Sequence, residues 1–286
     1  MRLPNTPGAL QAMELRATRL ERDGHVATVW LDRPHRHNAW TGRMHSEYRW
    51  LLATLDADPS VRAIVVTGTP PAFCVGGDSK ALEGHAQRGG YVDGLETDVA
   101  IDPPGHNGRP ELQAELAYQL AMRVPVIAAV NGACAGIGLA VAAWCDLRFG
   151  CADAKLTTAA PALGLPAEYG LSWILPRLIG LTRANDLLIS GRIVTVRETA
   201  EWGLWNGVHD DPASTLDAAK EYAQRIATRV APSSAAATKR QIVDDLLDNH
   251  PAASVNTSRR LLNEMTGSAE YREGIDALVN KRPPEF

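Results

Sequence analysis

Gly132-Ala133-Cys134-Ala135-Gly136-Ile137-Gly138 is the stretch on which the fold turns. It follows Val124–Val130, a β-branched run short enough for a buried strand, and precedes an apolar stretch through Trp144. The order predicts a strand-to-helix turn, whose glycines allow tight curvature and leave N–H groups pointing outward where the helix begins. Such a place can hold a negative oxygen. A second turn of the same kind stands about 60 residues earlier. Ala72-Phe73-Cys74-Val75-Gly76-Gly77-Asp78-Ser79-Lys80 follows the β-branched run Val61–Thr67, and Asp78 lies near a helix start, where negative charge is favoured. Either turn alone is a common structural device. Together they make a bipartite oxyanion site if their ends converge.

Working outward, Met44, Tyr48, Leu51, Leu52 and Leu55 recur at helical spacing within Thr41–Leu55, which Asp58-Pro59 ends. A further helix is expected from about Glu111 to Met122. Each helix leads into a strand, a glycine-rich turn and another helix, and two such modules indicate an α/β fold built from related units. Met13–Arg19 and His25–Leu31, separated by Arg22-Asp23-Gly24, read as a hairpin that Pro34 stops. Gly84 to Pro110 is glycine-rich with weak periodicity, the pattern of a lid or a plain surface loop. Beyond Pro212 only helical stretches remain: Thr215–Thr228, Ser234–Asp248, Ala252–Met265 and Ala269–Val279. The division expected is a core over 13–211 and a helical oligomerisation module over 212–286.

The 286 residues can bury a sizeable core; 45% are hydrophobic and 22% charged, near the averages for globular proteins. No apolar run approaches the roughly 18 residues of a membrane span. The N-terminal stretch, with Arg16, Arg19 and Glu21, lacks the pattern of an export signal. Four cysteines, Cys74, Cys134, Cys145 and Cys151, form no CxxC pair and suit reduced, packed thiols in a cytoplasmic protein. A net charge of −4 with interspersed signs leaves no footprint for nucleic acid or an anionic membrane. His35 and His37 flank Arg36, but no further ligands stand at metal-binding spacing, so no metal is expected. The GxxxGIG spacing also suits a dinucleotide turn, yet that fingerprint belongs on a domain's first strand, and no Tyr here has a Lys four positions later.

Four segments together resemble the enoyl-CoA hydratase/isomerase (crotonase) superfamily: LDRPHRHNAW, AFCVGGDSK, VPVIAAVNGACAGIGLAVAAWCDLR and EGIDALVNKRPPEF. They run in family order from Leu31 to Phe286. The resemblance implies an α/β spiral of ββα units with a helical C-terminal trimerisation module, in trimers or hexamers built as dimers of trimers. It implies an acyl-CoA thioester as ligand, with coenzyme A as part of the substrate and no separate cofactor. Matched to the motifs, the two N–H donors to the thioester oxygen are Gly77 and Ile137. Residues around them, Ala39, Val75, Asp78 and Gly136, fall in the substrate-binding segments. Arg33, Arg36 and Lys80 are candidates for the CoA phosphates, although surface solvation explains such residues equally well. Lys281, with Arg282, is a candidate to reach a CoA bound by a neighbouring subunit.

Relatives resembling the mitochondrial hydratase use two glutamates; counting along this sequence places Ala140 and Ala160 there, and neither transfers a proton. Glu168 instead falls where peroxisomal-type enoyl-CoA isomerases, ring isomerases, aryl-CoA dehalogenases and naphthoyl-CoA synthases carry a single functional carboxylate. A lone carboxylate beside an apolar wall has a raised pKa suited to moving a proton between carbons. The plainer alternative is a helix cap or a pair with Arg177. Tyr169 and Trp173 are expected to shape the acyl pocket, and His106 is a candidate second acid/base. Hydration or double-bond isomerisation of an enoyl-CoA is therefore the leading expectation, with hydrolysis, C–C cleavage or a catalytically silent acyl-CoA binder as alternatives.

Overall fold

The computed structural model describes residues 13–88, 104–105 and 109–286. Strands β1 (Thr18–Asp23) and β2 (Val26–Leu31) form the expected hairpin, closed at Gly24 with φ 54°. The first strand lies later than its alternation suggested. What holds residues 16–18 is the buried carboxylate of Glu47, which accepts the N–H groups of Arg16, Ala17 and Thr18 at 2.8–2.9 Å.

Glu47 belongs to α1 (Gly42–Ala57), whose N-cap Thr41 accepts the Met44 N–H as the sequence pattern requires. The chain then builds three similar passes. Strand β3 (Ala63–Gly68) is followed by the short β4 (Ala72–Cys74) and α2 (Ser79–Arg88). Strand β5 (Val126–Val130) is followed by β6 (Ala133–Ala135) and α4 (Ile137–Ala143), and β7 (Leu147–Cys151) by β8 (Lys155–Thr157) and α5 (Leu171–Ser190). The long strands join one sheet in the order β1-β2-β3-β5-β7-β10 and the short ones a second in the order β4-β6-β8-β9, where β9 is Val194–Thr195 and β10 Gly207–His209. Each pass thus crosses from one sheet to the other before its helix, which is the ββα spiral.

The segment expected as one helix from Glu111 to Met122 is instead a 3₁₀ turn, Pro110–Leu112, and a single helical turn α3, Tyr118–Ala121. Leu116 between them takes φ 61°, a conformation no α-helix contains. Its apolar side chain is nonetheless fully buried, so tertiary packing has overridden the local spacing. Of the expected loop Gly84–Pro110, the start is the end of α2, the remainder lies mostly outside the described residues, and His106 lies wholly outside them.

Four helices close the chain: α6 (Pro212–Arg229), α7 (Pro232–Leu247), α8 (Pro251–Met265) and α9 (Ala269–Val279). The first lays Ala219, Ala223 and Ala227 on Val65, Ile127 and Phe149, covering one face of the large sheet. Small residues every fourth position allow that close approach. Helix α7 is tied down by Lys239, whose ammonium donates to Gln119 O, Val124 O and the Asp146 carboxylate at 2.7–3.0 Å.

Candidate active site

The two glycine turns stand side by side because the strands before them are paired: β4 lies parallel to β6, with Ala72 opposite Ala133 and Cys74 opposite Cys134. At their ends the backbones nearly touch. A Cβ placed on Gly136 would sit 3.7 Å from the Gly76 Cα, and one on Gly76 would sit 3.5 Å from the Ala135 carbonyl oxygen. Both glycines have φ values, 101° at Gly76 and 50° at Gly136, that L side chains rarely adopt. Gly138 is required for a different reason: a Cβ there would lie 2.3 Å from the Cys74 carbonyl oxygen, so α4 could not pack on β4.

Gly77 and Ile137 each follow one of these two touching glycines. Trp40 bridges to Gly77 in parallel fashion, donating its N–H to Gly76 O and accepting that of Asp78, both at 2.8 Å. This leaves the Gly77 N–H directed away from the bridge. Ile137 is the first residue of α4, where no acceptor exists within the helix. Among the described residues, neither N–H has a hydrogen-bond acceptor.

The first turn is fixed by a buried ion pair. The Arg33 guanidinium donates to the Ala39 carbonyl and, from both terminal nitrogens at 3.1 Å, to Asp78 Oδ2. Asp78 Oδ1 accepts the Lys80 N–H at 3.1 Å and lies 3.6 Å from Arg36. Burial alone would raise the Asp78 carboxyl, but the Lys80 N–H and the two guanidinium groups outweigh it and hold its pKa below the ordinary value. Arg33 is therefore engaged by the turn itself, with 18% of its side chain exposed, whereas Arg36 and Lys80 reach solvent. Ala39 is buried and Val75 exposed at the mouth of the turn. Lys281 is exposed just beyond α9, with φ 52°.

Sequence reasoning passed over three residues that assemble this geometry. Asn38, buried at φ 58°, donates from Nδ2 to Thr69 O and Ala72 O and accepts the Arg33 N–H, fastening the segment before Trp40 to β4. Asn131 exchanges two hydrogen bonds with the Gly68 main chain, tying the second turn's strand to the first's. Trp40 supplies the bridge. The signal available was the Asn type itself, which tolerates left-handed backbone and bonds to nearby main chain.

Ala140 is fully buried on α4, and the whole stretch 156–167 contains no ionisable side chain, so no carboxylate stands at the two-glutamate positions. Cys74 is no substitute, because burial pushes its thiol up to about 12. Glu168 lies in the loop before α5, half-buried, and burial raises its pKa. Neither plainer role holds: α5 has Gly170 as its N-cap with no side-chain cap, and Arg177 is stacked on Trp173 at 3.9 Å and donates to the Trp173 carbonyl. The loop is docked on α4 through Trp144, whose indole N–H donates to Tyr169 O at 2.7 Å and whose ring stacks on Trp173. Tyr169 and Trp173 pack on the core beside Glu168. Among the described residues there is no group of His, Cys, Asp and Glu that could hold a metal ion, and no helix is long and apolar enough to cross a membrane.

A family model described as enoyl-CoA hydratase/isomerase matches residues 21–286. The chain is similar to the 1,2-epoxyphenylacetyl-CoA isomerase of Escherichia coli, with 30% identity over 91% of this chain and 94% of that one. It is also similar to a Rhodobacter capsulatus protein named "Probable enoyl-CoA hydratase", with 32% identity over 96% and 99% of the two chains. Among solved structures, an enoyl-CoA hydratase/isomerase from Mycobacterium abscessus, titled "probable", superposes with TM-score 0.81 at 30% identity, covering 94% of this chain and 98% of that one.

Proposed function

The chain belongs to the enoyl-CoA hydratase/isomerase family of the crotonase superfamily, and on that premise we propose that it holds an acyl-CoA thioester oxygen between the N–H groups of Gly77 and Ile137. The observation that supports the reading is the meeting of Gly76 and Gly136, each followed by a residue whose N–H has no acceptor among the described residues. Donors fixed in advance stabilise charge as it develops on the oxygen of an enolate, by about 3–4 kcal/mol for one donor.

Glu168 is the proton carrier in this proposal. In double-bond isomerisation it takes a proton from the α-carbon of a 3-enoyl-CoA, giving a dienolate held by the two N–H groups, and returns that proton to the γ-carbon to give the 2-enoyl product. One carboxylate suffices, and no atom is gained or lost. The absence of acids at Ala140 and over 156–167 favours this course. Hydration, in which Glu168 activates water, is the second reading, favoured by the name of the Rhodobacter relative. Arg36, Lys80 and a neighbouring subunit's Lys281 are proposed to meet the CoA phosphates, and Tyr169 and Trp173 to bound the acyl group.

A homotrimer or a dimer of trimers is proposed, supported by exposed apolar side chains on the closing helices, among them Ile242, Leu262, Leu278 and Val279. In this arrangement 13–211 is the catalytic part and 212–286 the assembly part, although α6 also covers the sheet. The four cysteines are free and buried, in keeping with a reducing, cytoplasmic setting.

The test compares Gly77→Pro, which deletes the N–H, with Gly77→Ala, which keeps it and brings the new Cβ no closer than 3.4 Å to the flexible Leu82 side chain. With 2-enoyl- and 3-enoyl-CoAs, the alanine variant should turn over and the proline variant should not. Equal activity in two folded variants would remove Gly77 from the chemistry. A wild-type protein that binds these thioesters without product would be a silent binder.

A further inference from the structure

Between α1 and α3 lies a group of polar side chains, buried at His45, Tyr48 and Tyr118 and partly exposed at Arg49 and Glu115, that the proposed chemistry does not use. His45, Tyr48 and Arg49 share one face of α1, spaced three and four residues apart. Opposite them stand Glu115 and Tyr118. His45 Nε2 is 3.0 Å from a Glu115 carboxylate oxygen, Trp40 meets the rings of His45 and Tyr48 edge to face, and the Arg49 guanidinium carbon is 6.0 Å from the Tyr118 ring centre. Among the described residues, four polar atoms of this group have no hydrogen-bond partner: Trp40 Nε1, Arg49 Nε, the Tyr118 hydroxyl and His45 Nε2, the last meeting Glu115 as an ion-pair contact only. Trp40 is 6% and Tyr118 1% exposed, so bulk water cannot serve them. A buried donor left dry is disfavoured by at least as much as a lost hydrogen bond, and an acceptor is called for.

The group also borders the elements that carry the two glycine turns. The Trp40 main chain holds Gly77. On the other side Gln119 of α3 accepts from the Tyr48 hydroxyl at 2.5 Å and donates to the Val141 carbonyl on α4, the helix that begins at Ile137. The cluster is thus bracketed by the elements carrying both N–H donors. The unpartnered atoms of Trp40, Arg49 and Tyr118 are donors, and the group's anionic acceptor, Glu115, lies against His45. The complementary guest is an oxygen with lone pairs and not a hydrocarbon tail.

We propose that Trp40, Arg49 and Tyr118 bind an oxygen acceptor carried by the acyl group, so that the substrate is an acyl-CoA with a hydroxyl, keto or carboxylate oxygen remote from its thioester. This rests on the acyl-CoA reading of the paired turns.

The test is calorimetric titration of the full chain with saturated thioesters, which are not turned over: butanoyl-, hexanoyl- and octanoyl-CoA, each against its ω-hydroxy and ω-carboxy counterparts. At one chain length an oxygenated thioester should bind at least about 5-fold tighter than its plain partner, the worth of one good hydrogen bond, and Tyr118→Phe should bring that ratio to about one. Trp40→Phe serves as the second variant if Tyr118→Phe does not fold. A preference for the ω-carboxy form that Arg49→Met removes identifies a carboxylate; an ω-hydroxy preference that survives it identifies a neutral oxygen. No preference at any length means that ordered water alone satisfies the donors, and the inference falls while the acyl-CoA reading stands. Failure to bind any of the thioesters overturns the acyl-CoA reading itself.

Discussion

Gly136 and Gly76 face each other across two paired strands so closely that a Cβ on the first would be 3.7 Å from the Cα of the second. The space would admit a methyl group, but the backbone would not, since Gly136 holds φ 50° and ψ −121°. Gly136→Ala is therefore expected to strain the turn without a clash, lowering stability by about 1–3 kcal/mol. Its effect on turnover should exceed that of Gly77→Ala, because it turns the Ile137 N–H. Thermal melts paired with enoyl-CoA assays check both halves, and unchanged turnover in a strained variant would contradict the geometry.

Glu168→Gln should lower kcat by at least about 100-fold with little change in CoA-thioester affinity, as expected when a proton carrier is lost. Burial raises the Glu168 pKa, so the carboxylate form is reached only at a pH above the ordinary glutamate range. If Glu168 works as a base, the acidic limb of kcat/KM should lie above that range and vanish in the variant. A limb that persists in Glu168→Gln belongs to another group.

Asp78 makes a prediction about acid stability. Its folded pKa is depressed, so its contribution to stability is complete above the ordinary aspartate value of about 4 and is lost as pH falls through the lower folded value. Asp78→Asn should unfold more easily at neutral pH, by about 1–3 kcal/mol, and should lose less additional stability on acidification than the parent. Denaturant titrations at several pH values give both numbers. Parallel curves would mean that the Arg33 pair does not couple to folding.

Lys239 anchors α7 through three acceptors in a nearly closed site. Removing it leaves the Asp146 carboxylate with the Val126 N–H as its remaining hydrogen-bond partner among the described residues, and two carbonyls without this donor. Lys239→Ala is expected to cost about 3–5 kcal/mol, as breaking a buried pair does. Hydrogen exchange should quicken in α7 before it quickens in the large sheet; uniform change through the chain would show that α7 does not open separately.

Much of this molecule could be read along the chain, because its decisive signals are local. Thr41 before an amphipathic run, proline at the start of three of the four closing helices, Ser268 before the fourth and glycine where φ must be positive are preferences of single residues and their near neighbours, and α1, β5 and α6–α9 stand close to where those preferences put them. The two glycine turns were legible for the same reason. Other features depend on residues far apart in sequence. Leu116 abandoned helical geometry to bury its side chain, and the pairing of β4 with β6 brought Gly76 to Gly136. Arg33, which in sequence could equally have met a phosphate, is taken up by Asp78, 45 residues away. Pairing and burial are decided by which surfaces meet, and only the tertiary structure brings those surfaces together.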